Sequence, residues 1–299
     1  MGDSEPLRVA VIGAGLIGIE LVARIRRSPH LECCLLAGRD GQARGLRVAQ
    51  ALGCPVAADG IESVTADPNP FDLVFDASNA VAHPGHWARL APLGTKVIDL
   101  TPSMVGHMVV PAVNGAEALA HPNLNLVSCG GQASIPLLHA LAGHYPLSYI
   151  EVVTTAASAS VGRATRLNLD EYIETTQRAI QSFTGVGDVK AMVNLSPARP
   201  PATFRVAVSA VAHGLEPGPV RELAEAAAER MRGFVPGFEI AACTVRDDTV
   251  FIAAQISSTG DHIPRYAGNL DIINSAAMFL AEQYAASRDL AFSAGSPDE

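Results

Sequence analysis

The chain has 299 residues, 48% of them hydrophobic, 17% charged and 5% aromatic, with a formal charge of −9. That is the composition of a globular protein with ample core, which excludes a disordered chain, and the acidic balance argues against nucleic acid or an anionic membrane surface as the main partner. No run of about 18 apolar residues is present, so no transmembrane span is expected. Met1–Arg8 is short and polar, so no signal peptide is expected and the cytoplasm is the expected location.

In chain order, residues 7–12 read as a buried strand, followed by a glycine turn and a helix over about 16–27 with apolar residues at Ile17, Leu21 and Ile25. Ser28-Pro29 stops it. A second strand over 31–37 and a second helix over 42–52 follow, then short apolar strands at 72–77, 96–100 and 124–127. Apolar strands alternating with helices predict a parallel sheet covered on both faces. After about residue 147 the texture changes. Strands are expected at 150–157, 189–195, 204–212, 239–245 and 249–257, with helices beginning near a capping box at Asn168 and spanning 220–232. This half reads as a separate α+β domain, and a final helix over 274–287 precedes a Ser/Gly/Pro tail.

Gly13-Ala14-Gly15-Leu16-Ile17-Gly18 is a GxGxxG between a strand and a helix. The first glycine permits the tight turn, the second admits a pyrophosphate, and the third allows close helix–strand packing. The helix N-terminus then faces the phosphates. The second strand ends Ala37-Gly38-Arg39-Asp40: Asp40 suits the ribose hydroxyls of NAD, and Arg39 the extra phosphate of NADP or merely solvent. NAD is the reading adopted, with NADP as the alternative.

Five cysteines stand at 33, 34, 54, 129 and 243 with no metal-binding spacing, and four lie in apolar stretches as small buried hydrophobes. Cys129 differs. It sits in Ser128-Cys129-Gly130-Gly131 at the end of an expected strand and ahead of a helix expected over 135–141. Unpaired amides at a helix N-terminus favour a thiolate and can hold an oxyanion, so Cys129 is the candidate nucleophile.

The chain resembles the acylating acetaldehyde dehydrogenases that partner 4-hydroxy-2-oxovalerate aldolases in aromatic catabolism. The resemblance covers about residues 8–285 and rests on the glycine turn, residues 75–78 (Phe-Asp-Ala-Ser), 98–102 (Ile-Asp-Leu-Thr-Pro), 128–133 (Ser-Cys-Gly-Gly-Gln-Ala), Thr165-Arg166 to Asp170-Glu171, and 266–271 (Tyr-Ala-Gly-Asn-Leu-Asp). It implies a Rossmann-type dinucleotide-binding domain over 1–130, completed by a C-terminal helix over 269–299, and an α+β catalytic and dimerisation domain over 131–268. The implied reaction joins an aldehyde, CoA and NAD to give acyl-CoA and NADH through a thiohemiacetal and thioester on Cys129. Asn269 corresponds to an asparagine near substrate and nicotinamide, with a helix cap as its plainer reading, and Ser158–Arg166 to a cofactor-contacting loop. The cofactor set is then Gly13, Gly15, Leu16, Ile17, Gly18, Arg39, Asp40, Ser78, Ser160, Gly162, Arg163 and Asn269. A homodimer and an aldolase partner are also implied.

Three places along the chain depart from the family pattern. An acidic residue expected after Arg205 is Val206, Arg163-Ala164 replaces an expected Pro-Gly, and His262 stands in place of a tyrosine. His262 reads as a replacement base or an ordinary loop histidine. These changes leave a second functional reading open: a weakly active or non-acylating relative serving as cofactor-binding scaffold of an aldolase. A third is a phosphate-releasing relative that pairs the cysteine with a distant histidine.

Overall fold

A computed structural model of the chain describes residues 5–162, 166 and 169–294. The first half runs β1 (Leu7–Ile12), α1 (Leu16–Ile25), β2 (Leu31–Ala37), α2 (Arg44–Ala51), β3 (Val56–Ala57), α3 (Ile61–Thr65), β4 (Leu73–Asp76), α4 (His83–Leu90), β5 (Lys96–Asp99), β6 (His107–Met108), α5 (Pro111–Ala118) and β7 (Asn123–Asn125). Strands such as β1 and β4 have almost no solvated face, which selects parallel pairing with helical cover on both sides. All seven strands pair in parallel in the order β3-β2-β1-β4-β5-β7-β6. The strand order reverses between β1 and β4, the place where open α/β sheets bind ligands beyond their strand ends. The glycine turn after β1 and Ala77-Ser78 after β4 both lie there.

The second half runs α6 (Cys129–Ala142), β8 (Tyr149–Ala157), α7 (Leu169–Thr184), β9 (Val189–Ser196), β10 (Phe204–Val211), α8 (Pro217–Arg232), β11 (Phe238–Arg246), β12 (Thr249–Ile256) and α9 (Gly268–Ala294). Its five-stranded sheet has the order β11-β12-β10-β8-β9, with β8 and β9 parallel and the other neighbours antiparallel. Alternation of buried and solvated residues along β10 presents one face to the helices and one outward. Among the described residues no helix is long and apolar enough to cross a membrane.

Two helix starts differ from expectation by more than a turn. The helix expected over 135–141 begins at Cys129, because Ser128 is extended and its Oγ accepts the Gly131 N–H at 2.9 Å. That side-chain cap turns the Gly-Gly pair from loop into first helical turn. Nearly every residue of α6 from Gly130 to Leu138 is buried, as a helix wedged between other layers must be. The final helix begins at Gly268 instead of 274, since a Cβ at Gly268 would stand 2.1 Å from the Ile256 carbonyl oxygen. Glycine alone lets this helix start pack so closely against the end of β12. The capping box expected at Asn168 lies outside the described residues.

One polar cluster ties α9 back to α1. Arg24 donates to Glu20 Oε1 and Ser275 Oγ, each at 2.8 Å, and to Asp271. Glu20 also accepts the His262 N–H at 2.9 Å, and Asp271 the Thr259 N–H at 3.3 Å. Both carboxylates have fully buried side chains. Removing their shared cation would strand two buried charges, so Arg24→Ala is expected to cost about 3–5 kcal/mol in denaturant unfolding. A loss below about 1 kcal/mol would show that α9 is held by apolar packing alone.

Candidate functional site

Three cavities sharing walls run from the sheet edge to Cys129. The first, of about 400 Å³, is lined by Gly13, Gly15, Arg39, Asp40, Asp59, Glu62 and Ser78, among others. The second, of about 320 Å³, shares Gly15, Ala77, Ser78 and Asn79 with it and adds Leu16, Ile17, Ser160 and Gly162. The third, of about 90 Å³, shares Ile17, Leu100, Pro102, Val161 and Leu270 with the second and contains Cys129 and Asn269.

The three glycines of the turn differ in what a side chain would meet at each. Gly13 has φ +115°, and a Cβ there would meet the Ala77 carbonyl oxygen at 2.5 Å. At Gly18 a Cβ would stand 1.9 Å from the Gly13 oxygen, so this residue sets helix–strand contact and lines no part of the run. A Cβ at Gly15 would meet nothing within 4 Å of protein, only the cavity. Across from it Ser78 is fixed by Asp76, whose Oδ1 accepts from the Ser78 N–H and O–H at 3.0 and 2.5 Å. Burial opposes the Asp76 charge, yet His83, His86 and Ser78 as hydrogen-bond donors hold its carboxyl below the usual range.

Cys129 opens α6, reached through Val127, which adopts φ +61°. A β-branched residue in the left-handed region stores strain, and here it turns the chain sharply into the helix. Ser128 Oγ donates to Thr176 Oγ1 at 2.7 Å, since Thr176 spends its own proton on the Tyr172 carbonyl oxygen. This fixes α7 against the first turn of α6. The Tyr172 hydroxyl consequently lies 3.2 Å from Cys129 Sγ and accepts the Gly130 N–H at 2.9 Å.

The expectation of a resting thiolate is corrected by these surroundings. Burial pushes the Cys129 thiol up to about 11, outweighing the pull of the Tyr172 hydroxyl and of the Gly130 and Cys129 amides. The helix end is present, but it competes with the loss of water in an apolar cavity. Two of the amides at this helix start are taken, Gly130 N–H by Tyr172 and Gly131 N–H by Ser128.

Asn269 lies within the first turn of α9, after its start at Gly268, so it does not cap that helix. Its Nδ2 donates to the Ser160 carbonyl at 3.1 Å, and its Oδ1 is buried without a partner. An orphaned acceptor on a residue that lines the thiol cavity suits an amide-bearing ligand such as nicotinamide. His262 is absent from the walls around the thiol. It lines a separate recess of about 260 Å³ with Gly15, Leu16 and Arg44, so it does not serve as a base for Cys129. Val206 is fully buried on the sheet face beside Thr154, its register partner on β8. Arg163 lies outside the described residues.

Sequence reasoning missed Tyr172, Thr154, Asp59 and Glu62. The signal for Tyr172 was its place on the core-facing stripe of α7 with Thr175 and Thr176, three hydroxyl groups where apolar residues belong. A ligand cradle at Gly15 has a direct test. Gly15→Ala is expected to stay within about 0.5 kcal/mol of the parent in stability and to weaken NAD binding at least about tenfold. Gly18→Ala should instead lower the melting temperature. Equal NAD affinity in parent and Gly15→Ala, read by calorimetry, would remove the dinucleotide from this turn.

Two family descriptions account for most of the chain. Residues 8–121 match "Semialdehyde dehydrogenase, NAD binding domain", and residues 129–264 match "Prokaryotic acetaldehyde dehydrogenase, dimerisation". Among curated relatives, the acetaldehyde dehydrogenase of Streptomyces griseus is 54% identical over 282 residues, covering 94% of this chain and 91% of its own. That of Spirochaeta aurantia is 42% identical over 94% and 96% of the two chains, and that of Pectobacterium atrosepticum 40% identical over 95% and 98%. The glycine cradle belongs to the first matched region and Cys129 opens the second. The chain therefore belongs to the acetaldehyde dehydrogenase family and is an NAD-dependent oxidoreductase acting on aldehydes.

Proposed function

We propose that the protein converts a short aliphatic aldehyde, CoA and NAD into the acyl-CoA and NADH, with Cys129 as the nucleophile. The observation that carries this reading is the shared wall of Ile17, Leu100, Pro102, Val161 and Leu270, which joins the dinucleotide cavity to the thiol cavity. Gly13, Gly15, Leu16 and Ile17 would receive the pyrophosphate, with Gly18 seating the helix behind them. Asp40 and Arg39 would face the adenosine ribose, and Ser78, Ser160 and Gly162 the nicotinamide half. Arg163 belongs to the same set as a cation for a cofactor phosphate. Asp59 adds negative charge near Asp40, which supports NAD over NADP; Glu62 on the same wall is paired with Arg89. Bound NAD supplies the hydride acceptor.

Cys129 Sγ would attack the aldehyde carbon, and the thiohemiacetal would lose hydride to leave a thioester on the enzyme. The thiol of CoA would then attack that thioester and release Cys129. Asn269 would orient the substrate end of the site through its free Oδ1. The thiol cavity is small, and none of the described residues lining it is Lys, Arg or His. An aldehyde carrying a carboxylate or phosphate would find no counter-charge among them, which supports an uncharged short chain over a phosphate-releasing chemistry.

In this reading residues 1–130 with 269–299 bind the cofactor, and 131–268 carry catalysis and dimerisation. The match to a dimerisation description supports a homodimer. The family resemblance supports an aldolase partner supplying the aldehyde, and a cytoplasmic location. The test follows reduced nicotinamide with acetaldehyde or propanal, with NAD or NADP, and with or without CoA. Turnover that requires CoA, prefers NAD and vanishes in Cys129→Ser is expected. NADH formation beyond one equivalent per chain without CoA, or turnover persisting in Cys129→Ser, would contradict the reading.

A further inference from the structure

We propose that Tyr172 is a catalytic residue, the group that moves the proton when Cys129 adds to the aldehyde. The inference rests on the function proposed above. Its geometry is independent of that function: the Tyr172 hydroxyl contacts the reacting sulfur at 3.2 Å and accepts the Gly130 N–H at 2.9 Å.

Among the described residues lining the thiol cavity none is Asp, Glu, Lys, Arg or His, and Tyr172 is the one whose side chain has a hydrogen bond to the sulfur. Val206, register partner of Thr154 on the same sheet face, brings only methyl groups. Gly130 makes the approach possible, since a Cβ there would stand 2.6 Å from the Tyr172 hydroxyl and 2.4 Å from Thr154 Oγ1. Any side chain at position 130 would push the phenol off the sulfur. The Ser128–Thr176–Tyr172 bonds hold the tyrosine in register with the nucleophile.

A phenol oxygen has one proton to give and two lone pairs to accept with. Gly130 N–H occupies one lone pair, the S–H can use the other, and the O–H remains for a carbonyl oxygen. As a sulfur lone pair forms the S–C bond, the S–H proton passes to the Tyr172 oxygen. The Tyr172 proton passes to the aldehyde oxygen, which takes up the C=O π pair. The product is a neutral thiohemiacetal, and the phenol ends as it began. Burial raises both the Cys129 thiol and the Tyr172 phenol, which disfavours a charged thiolate or phenolate and suits an exchange that creates neither.

Tyr172→Phe keeps the ring and removes the hydroxyl. Aldehyde turnover is expected to fall on the order of 10²–10⁴-fold, the range for a positioned proton donor, with NAD affinity unchanged. The pH dependence of Cys129 alkylation by iodoacetamide, without cofactor, gives a second readout. Its midpoint should rise in Tyr172→Phe, which lacks the hydrogen bond to the sulfur. It should fall when all five tyrosines are replaced by 3-fluorotyrosine, a stronger donor, with fluorinated Tyr172→Phe as background. If Tyr172→Phe does not fold, the fluorinated parent decides alone. Parent-like turnover in Tyr172→Phe, or one alkylation profile shared by all the proteins, overturns the proposal. A parent that turns over no short aldehyde defeats the dehydrogenase reading separately; the alkylation midpoints then still decide whether Tyr172 governs the thiol.

Discussion

The Arg24 cluster fixes how the two ends of the chain meet, and the site depends on that meeting. Glu20 and Asp271 are buried carboxylates on α1 and α9, and the guanidinium between them is their shared counter-charge. Because α1 begins at the glycine turn and α9 begins beside Asn269, this one cation aligns the dinucleotide cradle with the thiol cavity. Leu270 and Ile273, also from the start of α9, become walls of that cavity. Gly260 completes the joint, since a Cβ there would stand 2.5 Å from Glu20 Oε1.

Around Cys129 two physical tendencies oppose each other. The start of a 14-residue helix favours negative charge, while an apolar pocket penalises it. Burial is the larger of the two influences and pushes the thiol above its ordinary range, which favours the protonated form. A reactive thiolate exposed beside a wide cofactor cavity would be open to oxidation and stray alkylation. A protonated thiol with a hydroxyl at its side is chemically quiet and still one proton exchange from attack. Val206 fits the same logic: a carboxylate at a fully buried position would need a partner.

Much of the fold was legible because its determinants are local. Gly13 to Gly18 announce a backbone that approaches other backbone too closely for a side chain, and β2 ran over the residues expected. The start of α6 was not legible, since glycines read as loop unless one knows that Ser128 caps them. Tyr172 was hidden for a different reason. It is 43 residues from Cys129, and only the docking of α7 brings them together. Of the two readings of His262 the loop histidine is the one that fits, since the loop after β12 is bent back onto Glu20. The parallel pairing of β9 with β8 likewise depends on a crossover that strand patterning does not reveal.

The central claim is that Cys129 carries the acyl group between aldehyde and CoA. The most direct measurement isolates the second half of that sequence. The parent protein and Cys129→Ser are mixed with acetyl-CoA alone, without NAD or aldehyde, and examined by intact-mass and peptide-mapping spectrometry. The account predicts one acetyl group per chain on the peptide containing Cys129, release of free CoA, and neither in Cys129→Ser. An unmodified Cys129, or an acetyl group carried equally by Cys129→Ser, would contradict it.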